Sequence, residues 1–325
     1  MRLINHPVLC NYYLTYRCNA TCNFCDIWER PSPYATLDTI RQNLVDLKKI
    51  GVKVIDFTGG EPLLHRQLPE ILELAKSMKF ITTVTTNALL YPKLADRLAG
   101  RVDMLHFSLD SADKSTHDSM RGVPCFDFVM ESIRRAKELN ERPDILFTVF
   151  EKNIPEIDRL YREICLPNDL MLLLNPVFHY HEVKSGEALQ EEHLRTLARW
   201  GKQPNVFVNE AFLSLRRAGG NQIIDPVCKA GSSTVVITPD NKLVTPCYHL
   251  SVKEFAIDGN LYSVWNQNEV QEQLAMEGRY AECQGCTINC YMQPSFAVEM
   301  NRYWWQSLPS TLKYNWKKGT WKALF

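Results

Sequence analysis

The chain lacks a surplus of either charge: 37 Lys and Arg balance 37 Asp and Glu over 325 residues. Binding to nucleic-acid phosphates needs a basic excess, so nucleic acid is excluded as a main partner. No apolar run approaches about 18 residues, so no bilayer-spanning helix is expected. Met1–Pro7 lacks the apolar stretch of a secretory signal, and the chain is expected to stay in the cytoplasm. Internal repeats and low-complexity segments are missing as well. What is present is an ordinary globular composition, 45% apolar and 23% charged, enough for one large domain and a smaller appendage.

Cysteine, by contrast, is plentiful. Eleven occur, and a reducing compartment disfavours disulfides. Cys18, Cys22 and Cys25 cluster early, and Cys228, Cys247, Cys283, Cys286 and Cys290 lie late, while Cys10, Cys125 and Cys165 are scattered. Thiols gathered at short spacing suit metal ligation, because several must converge on one small centre.

The first half alternates β-rich runs with amphipathic helical stretches. Strands are predicted over 12–15, 54–58, 82–86, 104–108, 145–149 and 171–175, and helices over 37–50, 68–79, 90–98, 126–140 and 154–164. Leu68, Ile71, Leu72 and Ala75 recur at the spacing of a helix packed on a sheet. Such alternation implies a parallel sheet. Six units are too few for a closed eight-stranded barrel, so the fold class is α/β, a partial (β/α)6 TIM-like barrel. Its chemistry should gather at the C-terminal strand ends. Later, 234–238 and 242–245 read as a hairpin turned by Pro239, Asp240 and Asn241, and 263–276 reads as a helix. The expected division is a core barrel over 1–185, a helical linker over 186–225, a smaller auxiliary domain over 226–293 and a basic-aromatic tail over 294–325.

Directly after the first strand come Cys18, Cys22 and Cys25, with three and then two residues between them. Four thiolates usually hold a four-iron cluster, and three leave one iron open to an outside ligand. A zinc knuckle completed by a distant residue is the alternative. Gly59-Gly60-Glu61-Pro62 follows the second strand, where glycines permit close backbone approach, Glu61 supplies an anion and Pro62 fixes the turn. Asn87 follows the third strand. Ser108, Asp110, Ser111, His117 and Arg121 follow the fourth, and Thr148 to Asn153 the fifth.

Cys-x3-Cys-x2-Cys after the first strand, with Phe24 before the third cysteine, resembles the radical S-adenosylmethionine superfamily. The later strand-end segments resemble it too, over about residues 8–180. The resemblance implies a [4Fe-4S] cluster on Cys18, Cys22 and Cys25, with S-adenosylmethionine at the open iron. It implies that Phe24 lies near the adenine and that Gly59, Gly60, Glu61 and Pro62 grip the amino group. It also implies that Asn87, Ser108 and Asp110 shape the cofactor pocket and that Arg121 pairs with the carboxylate. The implied chemistry is reductive cleavage to methionine and a 5′-deoxyadenosyl radical that abstracts hydrogen from substrate, fed by flavodoxin or ferredoxin.

The late cysteines resemble the SPASM and twitch extensions of that superfamily. They are fewer than in a full SPASM domain, and Lys242 stands where a glycine is usual before the hairpin cysteine. One auxiliary [4Fe-4S] cluster on Cys228, Cys247, Cys283 and Cys286 is therefore expected, with Cys290 as an alternative ligand and structural zinc as the competing reading.

On the substrate side, His179 and His181 follow the sixth strand, and Tyr248 and His249 adjoin Cys247. His179, His181 and Tyr248 are the candidate catalytic groups. From Met300 to the end there is no acidic residue. Tyr303, Trp304, Trp305, Tyr314, Trp316, Trp321 and Phe325 mingle with Arg302, Lys313, Lys317, Lys318 and Lys322, a mixture suited to a membrane surface or to wrapping the barrel. The expected substrate is a small metabolite, sugar or lipid, since few residues precede the first strand. Maturation of a ribosomally made peptide and a non-catalytic iron–sulfur or zinc protein are the alternatives.

Overall fold

The structure is a computed structural model and describes residues 1–178 and 189–320. Its strands are β1 (Leu9–Thr15), β2 (Val54–Gly59), β3 (Ile81–Thr86), β4 (Met104–Ser108), β5 (Asp144–Val149), β6 (Met171–Pro176), β7 (Val206–Phe207), β8 (Thr234–Ile237), β9 (Lys242–Thr245) and β10 (Lys253–Ala256). They form one sheet in the order β10-β9-β8-β1-β2-β3-β4-β5-β6-β7. Pairing is parallel from β8 through β1 to β7 and antiparallel in the β8-β9-β10 meander. The helices after β1 to β6 are α1 (Leu37–Ile50), α2 (Leu68–Ser77), α3 (Tyr91–Leu98), α4 (Lys114–Arg121), α5 (Phe126–Glu138), α6 (Glu156–Leu160) and α7 (Glu191–Trp200). Later ones are α8 (Glu210–Arg217), α9 (Ala230–Ser233), α10 (Leu261–Trp265), α11 (Asn268–Ala275), α12 (Asn289–Ser295) and α13 (Arg302–Lys318). The strand–helix alternation read from the sequence is thus the architecture, a partial barrel.

Period-two alternation sorts each strand's two faces. Tyr12, Leu14, Ile55, Phe57, Leu105, Phe107, Ile145 and Phe147 are fully or nearly buried in the main apolar core under the helices. The opposite face is polar: Asn11 pairs in register with Asp56 and Asp56 with Thr83, and Thr85 pairs with His106 and His106 with Asp144. A second apolar cluster joins Tyr13 of β1 to Phe212, Val244, Tyr291, Met292, Phe296 and Tyr303, so α8, α12 and α13 pack on the inner face at the β1 side.

Local chemistry sets the helix ends. Thr36 accepts the Thr39 N–H to cap α1, and Gly51 at φ 107° ends it. Several expectations change. The helix expected over 154–164 is short α6 followed by a π-helical turn, Tyr161–Cys165. The helix expected over 263–276 breaks into α10 and α11. The supposed tail is a 17-residue helix, capped by Asn301 and stopped at Gly319. β8, which lies in the stretch expected as the auxiliary domain, pairs with β1 and extends the barrel sheet.

α13 crosses the N-terminal side of the barrel strands. Tyr314 donates to Asp144 Oδ2 at 2.8 Å and lies 3.1 Å from His106 Nε2. Lys318 pairs with Asp144 Oδ1 at 3.1 Å, Lys317 with Asp169 at 2.7 Å, and Lys313 donates to the carbonyls of Gln203 and Val206. Lys313, Lys317 and Lys318 thus follow the second of the two expectations, wrapping the barrel: their charges turn inward and close the barrel floor. No described helix is long and apolar enough to cross a membrane.

Candidate active site

The loop after β1 carries Cys18, Cys22 and Cys25 and is held from both sides. On the β2 side, Gly60 N–H donates to Thr15 O and Glu61 N–H to Arg17 O, each at 2.9 Å. A Cβ on Gly59, at φ 142°, would lie 2.0 Å from Thr15 O, and one on Gly60 would lie 2.3 Å from Arg17 O. The close neighbour that requires these glycines is therefore the cysteine loop itself. On the α4 side, Thr21 N–H donates to Arg121 O at 3.1 Å and Asn23 N–H to Met120 O at 3.2 Å. A Cβ on Gly122 would meet Thr21 Oγ1 at 2.3 Å.

Glu61 is buried, and its carboxyl accepts from Leu63 N–H (3.0 Å), Thr86 Oγ1 (2.7 Å) and Asn87 N–H (2.9 Å). Burial pushes it up to about 7, against the pull of those donors. Its anion thus fixes the end of β3. Asn87 Nδ2 reaches Asn19 Oδ1 at 2.8 Å and Cys18 Sγ at 3.9 Å. Pro62 opens a buried turn over residues 62–64. Ser108 ends β4 on the polar face.

Asp110 and Arg121, expected to face a ligand separately, face each other: Arg121 Nη2 lies 2.7 Å from Asp110 Oδ2, and both are buried. Asp110 Oδ1 also accepts Thr148 N–H at 2.8 Å, tying β4 to β5. Asn153, expected as a turn residue, donates to the Asp110 and Thr148 carbonyls. Arg121 Nη1 approaches Cys22 Sγ at 3.9 Å, and its guanidinium lies 5.3 Å from the centre of the Phe24 ring. Phe24 in turn packs on Phe150.

Close by, Asp110 N–H donates to His117 Nδ1 at 3.2 Å, so Nε2 carries the proton and donates to Cys125 Sγ at 3.2 Å. Burial pushes His117 down to about 3 and Cys125 up to about 12, so both stay neutral. Asp118 Oδ1 accepts the Cys125 and Phe126 N–H groups at 2.8 Å and caps α5. His117, Asp118 and Cys125 lie within 4.8 Å of one another, but these bonds account for them as a packing knot.

The sulfurs of the loop after β1 are arranged differently. Among the described residues, Cys18, Cys22 and Cys25 do not all lie within 4.8 Å of one another. A single zinc at Zn–S of about 2.3 Å would draw its thiolates to roughly 3.8 Å apart. A cube spreads them over separate irons. The Asn87 and Arg121 N–H groups facing sulfur fit an iron–sulfur cluster.

The late cysteines are organised by Asn221, which sequence reasoning passed over. It is fully buried, accepts Cys228 N–H at 3.0 Å through Oδ1, and donates through Nδ2 to Gly278 O (2.8 Å) and Cys283 O (3.1 Å). Its backbone exchanges bonds with Cys286 O and Gly285 N–H. Burial first, then the neighbouring Cys247 and Cys286, pushes the Cys228 thiol well up. Cys247 and Cys286 act electrostatically on Cys290 too, itself exposed, so these sulfurs share one locality.

Between the two cysteine sites lies an aromatic cluster. Tyr13 stacks on Tyr248 at 4.3 Å, Tyr16 flanks both, and Tyr248 N–H donates to Tyr291 OH at 3.0 Å. Burial pushes Tyr248 up to about 12 and His249 down to about 4. The Tyr248 hydroxyl is enclosed without a hydrogen-bond partner among the described residues. His179 and His181 lie outside the described residues.

Residues 12–164 match the profile of the radical SAM superfamily. A probable GTP 3′,8-cyclase from Sulfurisphaera tokodaii is 29% identical over 261 residues, covering 75% of this chain and 82% of that protein. Among solved structures, Streptococcus suis SuiB bound to S-adenosylmethionine aligns with a TM-score of 0.68 at 17% identity, over 82% of this chain and 67% of that one. Native anSMEcpe with bound AdoMet aligns with a TM-score of 0.64 at 17% identity, over 98% of this chain and 99% of that one. The structural likenesses concern the fold.

Proposed function

Since the chain is a radical SAM enzyme and takes a [4Fe-4S] cluster and S-adenosylmethionine, we propose that Cys18, Cys22 and Cys25 hold that cluster and that the substrate is a small molecule bound in the barrel lumen. What carries this reading is the clamped loop: Gly59–Glu61 on one side and Arg121–Gly122 on the other present three thiols at the C-terminal strand ends. When bound, the pair supplies a 5′-deoxyadenosyl radical that abstracts hydrogen from substrate. The protein's part is to fix and shield. Asn87 and Arg121 direct N–H groups at sulfur. Glu61 braces Thr86 and Asn87, which leaves the cofactor amine to the backbone carbonyls of Gly59 and Gly60. Arg121, already paired with Asp110, orients the pocket wall with Phe24 and Ser108.

We assign an auxiliary [4Fe-4S] cluster to Cys228, Cys247, Cys283 and Cys286, with Cys290 beside it. The electron comes from an external reductant, for which flavodoxin or ferredoxin in the cytoplasm is the proposed source. His179, His181 and Tyr248 remain the candidate acid–base groups, Tyr248 supported by its enclosed hydroxyl. Any lipid-surface contact through 302–325 would fall to apolar side chains such as the exposed Trp305 and Leu312, since Lys313, Lys317 and Lys318 are engaged inward. Peptide maturation is the rival substrate reading. A GTP-like substrate would need cations for its triphosphate, whereas the lumen wall offers Asp56. Anaerobic reconstitution tests the ligand assignment: iron should approach about eight per chain and fall to about four in Cys22→Ser or in Cys283→Ser. Iron unchanged in both variants would refute it.

A further inference from the structure

We propose that Asp56 is the recognition group of the lumen and that it selects a substrate bearing a primary amine. The inference rests on reading the lumen as the substrate chamber. Ile55 and Phe57 turn into the core, so Asp56 between them faces the polar interior. Its register neighbours, Asn11 and Thr83, are neutral and buried. Asp56 acts electrostatically on the thiols Cys10 and Cys290, burial alone shifts Asp56 itself, and no cation among the described residues offsets it.

The other enclosed carboxylates all have protein partners. Asp46 has Lys49 and the Tyr262 N–H, Glu61 has three donors, Asp110 has Arg121, Asp144 has Tyr314 and Lys318, and Glu277 has Ser232. Asp56 has none of these among the described residues, although it remains partly accessible. A half-buried carboxylate with no protein donor is costly to keep charged, and nothing in the fold uses it. A ligand ammonium satisfies both its charge and its lone pairs, whereas a phosphate or carboxylate at that level would be repelled.

The test uses full-length reconstituted protein and two shape-matched probes, benzylamine and benzyl alcohol, with dissociation constants from ligand-detected NMR. The amine should bind at least about tenfold tighter, the scale of one charge-assisted hydrogen bond. Asp56→Asn and Asp56→Ser should each abolish that preference. Equal affinities in the wild type overturn the proposal without recourse to any variant, as does a preference that survives both substitutions. Cleavage of S-adenosylmethionine is followed on the same wild-type sample. Its absence beside an intact amine preference overturns the radical-enzyme site alone, and its presence without the preference overturns the Asp56 assignment alone.

Discussion

Asp56 carries a cost that depends on pH. Burial raises its carboxyl from 3.8 to about 7, with Asn11 of β1 and Thr83 of β3 beside it in register and the thiols Cys10 and Cys290 within its electrostatic reach. A folded-state value above the unfolded one means the folded chain binds the extra proton between those limits. Stability is therefore greatest on the acid side and lost as pH rises from about 4 to about 7. Asp56→Asn should remove a decline on the order of a few kcal/mol, measured as the difference in urea unfolding of the apoprotein at pH 5 and pH 8. An identical decline in the variant contradicts the buried placement.

Asn221 acts at the same scale without charge. Asn221→Ala orphans the Cys228 N–H and the Gly278 and Cys283 carbonyls, at about 1–3 kcal/mol for each buried group left unpaired. The variant should melt earlier and reconstitute with about four irons per chain instead of about eight. Iron at the wild-type level would show that Asn221 does not order the late cysteines. Asn221 was invisible in the sequence because its partners lie 7, 57 and 62 residues away. A charge inside the β2 run Val54-Ile-Asp-Phe-Thr58 was the readable signal for Asp56.

Among the elements, α13 differs most from its expected form. Its aromatic and basic residues read as a tail, yet Asn301 and Gly319 cap a long helix. Its lysines looked like a membrane surface because their carboxylate partners, Asp144 and Asp169, belong to the barrel floor. The Lys318–Asp144 pair is buried on both sides. Lys318→Met should therefore destabilise by about 3–5 kcal/mol, because it strands a buried carboxylate. Adding Asp144→Asn should recover part of that loss in urea melts. Additive losses in the double variant would show that the pair is not coupled.

For the whole molecule, the decisive property is the continuity of the sheet. The strand–helix rhythm was legible because apolar periodicity is local, and the cysteine loop was legible because its ligands are adjacent in sequence. The Asp110–Arg121 pair, the glycine clamp on the loop and the β8–β1 junction were not, since each depends on segments that meet only in the fold. Because β8 pairs with β1 and α13 closes the floor, removing residues 226–325 exposes an unpaired β1 edge and an open barrel. The 1–225 fragment should fail to give a cooperative thermal transition by circular dichroism. A sharply melting fragment would establish the two halves as independent domains.

The central claim is that the clamped loop holds the cluster that reacts with S-adenosylmethionine. It is tested most directly by reducing the reconstituted protein with dithionite in the presence of S-adenosylmethionine and quantifying 5′-deoxyadenosine by chromatography. The wild type should form it, and the Cys283→Ser protein should still form it. The Cys18→Ser, Cys22→Ser and Cys25→Ser proteins should form none. Product from any of those three, or none from the wild type, would contradict the account.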